Sequence, residues 1–491
     1  MLSVSQMTKR ITQPSGGYLP IKSFQVHTYD DGLTVDDSSP EYPAFASIQG
    51  MVVDYLTRYM SGSPLRDAFL ISLMGASMVS EENVAEALLK QIQGLDCNSI
   101  IAASIAFGAM ADAKIENPDS TGFKFTDVKV VKSTPVKDQN KSGTCWCYSS
   151  NTFFENEILR KTGKEVHLSE GFVVYHCYLD KAIKNVRLDG TSNFAEGGAG
   201  LDVAYVWENY GMVPNEVYTG MTYGDKKFNT AELTAMLQGM VNVVNQRKLK
   251  KLTPSWQDGF KGVLDGYMGK LPETFTWEGK TYTPKSYAAS LPLKMDDYIS
   301  ITSFTHHPFY KPFILEVADN WTWEESQNVP IDELWEIANY AIEKGYSIAW
   351  GADVSERGFK WRKGYAVLVK EKNENDLSGT DRERWDLMAD KDRDEQRWEI
   401  KGPGNEETVT QESRQMMFDN KETTDDHGMV IVGTAVDQEG NKYFKVQNSW
   451  DTNQLYHGFF YVSEAFFKAK TMNIILNKEA IPAKIAKKMG I

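Results

Sequence analysis

Cys145 lies in the segment KDQNKSGTCWCYSSNTFFENEIL, residues 137–159. A thiol attacks as its thiolate, and the simplest ways to favour that anion are a helix N-terminus and a neighbouring imidazolium. The spacing of Phe153, Phe154 and Ile158 predicts a helix that opens at Cys145 after a Gly143-Thr144 turn, with Trp146 packed beneath. Its dipole then points at the sulfur. Six residues upstream, the amide of Gln139 can donate to an oxyanion together with the backbone N–H of Cys145.

Of seven histidines, His427 begins a strand-like run, HGMVIVGTAV, which is followed by a DQEG turn and a second run ending in Asn448-Ser449-Trp450. Adjacent antiparallel strands bring the start of one beside the end of the next. His427 is therefore expected to meet Asn448, whose amide would fix the imidazole tautomer, with Trp450 shielding the contact from water. The order Cys, His, Asn is that of a thiol-protease site. Cys147 is expected to be core, and a Cys-x-Cys metal site lacks a second ligand pair. His306-His307, in THHPFY, reads as part of a turn before Pro308, and His176-Cys177 as helix packing. For Asp425-Asp426 two readings stand: a solvated acidic loop, or charges that favour the imidazolium of His427.

Gln139 with GTCW at 143–146, DHG at 426–428 and QNSW at 447–450 resemble the papain family of cysteine peptidases. His427 follows Cys145 by 282 residues, against about 130–150 in papain-like enzymes, so roughly 140 residues are inserted. With GGAG at 197–200, YGMVPNEVY at 210–218 and AWGADVS at 349–355, the chain is similar to the bleomycin hydrolase and aminopeptidase C branch over about 118–488. The resemblance implies an α+β, two-lobed papain-like fold, with a helical lobe carrying the Cys helix and an antiparallel β lobe carrying His and Asn. It implies Cys145 as nucleophile, His427 as base and acid, Asn448 as orienting residue and Gln139 as oxyanion donor. Trp146 and Trp450 would support them, and Gly197 and Gly198 would form a bare wall for the substrate backbone. No cofactor and no metal are implied.

The expected activity is removal of N-terminal residues from short or unfolded peptides by a homo-oligomer, a hexamer by resemblance. An endopeptidase, and a non-catalytic scaffold on the same fold, are the alternatives. Two positions depart from the family. Asp451 stands where it usually has Gly, and the sequence closes on IPAKIAKKMGI, before the tail whose terminal carboxylate receives the substrate's amine.

The elements that must position these residues are read as follows. Residues 1–95 form a helical appendage, and 96–117 are an apolar, signal-like segment (SIIAASIAFGAMADA, 99–113) and a linker. Residues 118–491 form the peptidase, with a helical insertion at about 225–345 and strands beyond it. A short helix is expected at 483–489. The composition, 41% hydrophobic and 24% charged, is that of a globular protein and not of a mainly disordered chain. A net charge of −14 argues against nucleic acid or an anionic membrane as partner of the whole surface. No run approaches the eighteen apolar residues of a membrane span. Four scattered cysteines and a plain N-terminus point to free thiols in the cytoplasm; the run at 99–113 keeps export open as the alternative.

Overall fold

The structure is a computed structural model. It describes residues 121–491, except 223, 225–226, 247–250, most of 373–395 and 405, together with two short strands near the N-terminus. The chain divides into two compact units, Met1–Ile115 and Glu116–Ile491. In the first, β1 (Val26–Tyr29) and β2 (Gly32–Val35) pair antiparallel, with Tyr29 opposite Gly32. The hairpin lies within the span that the sequence predicts as a helical appendage, although alternation on either side of Asp30-Asp31-Gly32 is a hairpin signal. The helices expected over 52–95 and the run at 99–113 lie outside the described residues.

The second unit opens with β3 (Thr126–Val130), then α1 (Cys145–Thr162), α2 (Glu170–Arg187) and α3 (Asp202–Asn209). Next come α4 (Ala231–Asn245), α5 (Ser255–Met268), the hairpin β4 (Phe275–Trp277) and β5 (Lys280–Tyr282), and α6 (Pro284–Ser290). Strands β6 (Tyr298–Thr302), β7 (Pro312–Ile314) and β8 (Glu325–Asn328) precede α7 (Ile331–Glu343), β9 (Ile348–Ala352), β10 (Phe359–Lys360) and β11 (Tyr365–Ala366). The chain closes with α8 (Gln411–Asp419), β12 (His427–Val436), β13 (Lys442–Gln447), β14 (Phe459–Ser463), α9 (Glu464–Lys470), β15 (Thr471–Asn477) and α10 (Ala483–Met489). Among the described residues no helix is long and apolar enough to cross a membrane.

One large mixed sheet runs in the order β10-β11-β14-β13-β12-β9-β15-β6-β8-β7, with β3 also on β12. The insertion is therefore not simply helical, as the sequence reading had it. Its strands β6, β8 and β7 extend the main sheet, and β6 pairs with β15 from the chain's end, Ile474 opposite Ile301. Two physical reasons hid them. YISIT is almost wholly buried, so it shows no period of two. ESQN buries Ser326 and Asn328, so hydrophobicity gives no sign of it.

Helix α1 is buried all round: fourteen of its eighteen residues are covered, including Asn151, Glu155, Asn156 and Glu157. Buried charges persist only when paired, and these pairs fix the helix. Glu155 accepts from Lys137 Nζ at 2.6 Å and from the backbone N–H of Leu168 at 2.7 Å. Glu157 takes both Nε and a terminal nitrogen of Arg160 at 2.8 Å, and the Tyr298 hydroxyl of β6 at 3.2 Å. Gly163, at φ 73°, ends the helix, its N–H bonded to Leu159 O, the left-handed stop that glycine tolerates best.

Candidate active site

Strand β12 carries His427 at its first position, opposite Ala352 of β9, and farther on pairs with β13 from Val430↔Gln447. Asn448 is the next residue of the β13 chain, and its Oδ1 accepts from His427 Nε2 at 2.7 Å. The bond sets the tautomer: Nε2 carries the proton, and Nδ1 is the nitrogen left to a thiol. Oδ1 also accepts the N–H of Ser449 at 2.8 Å, which fixes the amide's orientation. The Trp450 ring lies 4.5 Å from the imidazole at 30°, a lid over the contact.

Cys145 begins α1. The backbone N–H groups of Gly428 and Trp146 act on its sulfur in the direction that favours the thiolate. Gly428 is glycine because of this approach: a Cβ there would lie 2.5 Å from Ser149 Oγ and 3.2 Å from Trp146 Cα. The glycine of the DHG block thus lets β12 touch the start of α1, and so sets the imidazole beside the thiol's cleft.

Gln139 is stitched to the Asn448-Ser449-Trp450 block. Its backbone N–H donates to Ser449 O at 2.8 Å, its Oε1 accepts from Ser449 Oγ at 2.7 Å, and its Nε2 donates to Ser142 O at 2.9 Å. One of the two amide protons remains for an oxyanion, and Gln139 lines the cleft with Cys145 and His427. The cleft has a volume of about 390 Å³. Gly197 and Gly198 also line it, and their lack of side chains has a cause besides substrate. A Cβ on Gly197 would collide with the Asp319 carboxylate, and one on Gly198 with the Trp146 indole and Asp202. Trp146 is therefore more than a packing residue: its Nε1 donates to Glu196 O at 3.0 Å and holds the glycine segment.

Asp451 sits at φ 65°. It takes the left-handed conformation that a glycine would take, which Asp tolerates better than most residues, and its Oδ1 accepts from Asn453 N at 2.6 Å. The departure from the family leaves the turn intact.

A model of the peptidase C1-like family matches residues 81–370 and 406–490, well over half of the chain. The chain belongs to that family. It is thus a cysteine peptidase of papain-like fold. It is similar to aminopeptidase C of Streptococcus thermophilus, 22% identical over 395 residues that cover 71% of this chain and 81% of the relative. It is also similar to aminopeptidase C of Lactobacillus delbrueckii subsp. lactis, 22% identical over 445 residues, 80% and 92% of the two chains. In fold it is similar to the crystal structure of PepW from Lactobacillus rhamnosis HN001, with a TM-score of 0.57 at 18% identity, covering 84% of this chain and 96% of that one. The family match starts at residue 81, before the 118 at which the motifs suggested the resemblance begins.

In this peptidase burial works against each charge of the pair taken alone. It pushes the Cys145 thiol up to about 12; the N–H groups of Gly428 and Trp146 favour the thiolate, and Asp425 and Asp319 oppose it. Burial likewise pulls His427 down to about 4, against Asn448 and Asp426, which favour the imidazolium. Asp426 thus acts in the direction of the second reading of the acidic pair, but burial outweighs it. Moving one proton from thiol to imidazole would create both charges together and leave the net charge of the cleft unchanged, so the two groups titrate as a pair.

Sequence reasoning missed the residues that hold the site. Lys137, two residues before Gln139, bridges Glu155 of α1 and Glu170 of α2 at 2.6 Å each. Glu196 accepts the N–H of Gly143 and the hydroxyl of Thr234 in α4, both at 2.6 Å, tying the loop that carries Gln139 to the insertion. Lys181 donates to Ala195 O and Gly197 O and so holds the glycine wall. In sequence each is an ordinary charged residue; only the partners it meets after folding set it apart. Cys147 and Cys177 are fully buried, and His176 stacks on Tyr210 at 3.9 Å, as packing residues would. His306 and His307 both bond to Glu316, at 3.0 and 2.9 Å.

Proposed function

We propose that this protein is a cysteine aminopeptidase that removes residues from the free N-termini of short or unfolded peptides through an acyl-enzyme. The observation that carries the reading is a cysteine at a helix start, in one cleft with an imidazole that Asn448 holds by a 2.7 Å bond. The relatives named aminopeptidase C, matched over most of their length, favour removal of N-terminal residues over internal cleavage.

In this reading Cys145 Sγ gives its proton to His427 and attacks the scissile carbonyl. The oxyanion is met by the Cys145 N–H, which has no helical acceptor at the first position of α1, and by Gln139 Nε2. The imidazolium protonates the leaving amine, and the acyl-enzyme forms. Neutral His427 then takes a proton from water, which attacks the thioester and frees Cys145. Asn448 keeps the ring in the productive tautomer, and Trp450 keeps water from their bond. Gly197 and Gly198 line the substrate backbone.

The same reading places the protein in the cytoplasm as a homo-oligomer, with 118–491 as its catalytic part and 1–95 as an appendage. These rest on the family resemblance, and sedimentation of the full chain tests the assembly. The activity is tested with matched peptides bearing free and acetylated N-termini. Cleavage of the free peptide alone, one residue at a time, is expected. Equal rates on both would make the enzyme an endopeptidase.

A further inference from the structure

An enzyme that cuts after the first residue faces a strict distance. The α-nitrogen of that residue lies only about 2.5 Å from the carbonyl carbon under attack, because N–Cα and Cα–C are its only separation. Whatever receives the ammonium must therefore stand close to the nucleophile. Ile491 is not among the residues that line the cleft. Helix α10, which precedes it, is tied to α7 by Lys484–Glu336 at 3.0 Å and Lys488–Glu333 at 2.5 Å.

Four carboxylates line the cleft with Cys145 and His427: Asp319, Glu324, Asp425 and Asp426. Asp426 is already engaged by the N–H groups of Val354 and Ser355 and the hydroxyl of Thr424. Asp425, two residues before His427, and Asp319, between β7 and β8, come from separate segments. Both line the same cleft as the Cys145 sulfur, and both oppose its thiolate electrostatically. Asp319 is built in. Its Oδ1 accepts from Asn193 Nδ2 at 2.9 Å, and its Oδ2 occupies the space that a Cβ on Gly197 would need.

Asp425 differs in kind. Partly buried in the cleft wall, its carboxylate has no hydrogen-bond or ion-pair partner among the described residues. Burial, then Asp319, then Asp426 push this carboxyl up to about 7. Two acids that repel each other across a partly desolvated cleft, one of them unpartnered, form a site that a cation completes.

We propose that Asp425 and Asp319 together receive the free α-ammonium of the substrate's first residue and so set the enzyme to remove N-terminal residues. This rests on the aminopeptidase reading above and names the residues that would enforce it. Both are positioning residues for the substrate and take no part in bond making.

The test compares kcat/KM on matched peptides with free and acetylated N-termini for the wild type, Asp425→Asn, Asp319→Asn and Asp425→Glu. Alkylation of Cys145 by iodoacetamide reports an intact nucleophile. Loss of a charge-assisted pair is expected to lower kcat/KM on the free peptide about 10- to 100-fold in each Asn variant. The loss should fall mainly in KM, while the acetylated peptide is cut no more slowly and alkylation is unchanged or faster. Asp425→Glu, which keeps the charge, is expected to retain most of the preference.

A wild type without free-amine preference would end the aminopeptidase reading itself. A wild type with that preference, undiminished in both Asn variants, would end the anchor proposal and leave the reading standing. Equal losses in Asp425→Asn and Asp425→Glu, or a loss on Glu324→Gln in their place, would also overturn it.

Discussion

At Cys145, burial that favours the neutral thiol opposes a helix terminus and two N–H groups that favour the anion. That balance makes its reactivity depend on His427. Cys145 should be alkylated far faster than Cys147 and Cys177, which are fully buried without such a partner; equal labelling of the three in mass spectrometry would remove it as nucleophile. Gln139→Ala is expected to lower kcat by roughly 10²–10³, the effect of one oxyanion donor, and a variant with full kcat would show that Ser449 and Ser142 account for all of its bonds. Asp451→Gly should keep activity. It exchanges a left-handed Asp for a residue at ease there but loses the bond to Asn453, so its melting temperature should move by only a few degrees; a collapse in stability would mean that the Asp side chain holds the turn.

Loops and helices are held in place by charges that hydrophobic patterning cannot see. Lys137 joins the loop before α1 to both α1 and α2 through Glu155 and Glu170, and burial of all three groups makes the arrangement intolerant of a missing partner. Lys137→Met leaves two buried carboxylates facing each other. The expected cost is about 3–5 kcal/mol by urea denaturation, with a fall in kcat because Gln139 lies two residues on. A change below about 1 kcal/mol would show that water reaches the carboxylates. The motif-bearing elements were readable: β12, β13, β14 and α10 occupy the spans that alternation or helical spacing marks out. Strands β6 to β8 were not, because burial on both faces and polar residues at buried positions erase the periodic signal.

For the whole molecule, stability against pH is set by buried groups of opposite sense. Burial pulls His176 down to about 3 and His427 to about 4. Between these values and about 6.5 the unfolded chain binds the extra proton, so both cost stability as pH falls. Asp202 is pushed up to about 7 by burial. Its contribution has the other sign, complete below about 3.8 and lost as pH rises through 7. The two effects offset each other in the wild type, and a single variant separates them. His176→Phe, which can keep the stack on Tyr210, should make the protein about 2 kcal/mol less sensitive to acid between pH 7 and 5, measured by urea denaturation at both values. An unchanged difference would place water beside His176. Of the two units, Glu116–Ile491 holds every residue of the candidate site, so a chain starting at Glu116 is expected to fold and hydrolyse peptides. If only a chain starting at residue 81, where the family match begins, is soluble and active, the appendage supplies part of the core.

Chain order and residue chemistry by themselves determined the reaction class. A thiol at a helix start, a histidine opening one strand and an asparagine just past the next can meet in few ways, because antiparallel pairing brings those ends together. What only the tertiary structure decided is which ordinary charged residues become special. Asp319 and Asp425 are separated by 106 residues, and Lys137 lies 33 from Glu170; of these only Asp425, two residues before His427, is marked by its local sequence. Their roles arise from desolvation, which raises the cost of an unpaired charge. Burial of this kind exists only after distant segments have packed.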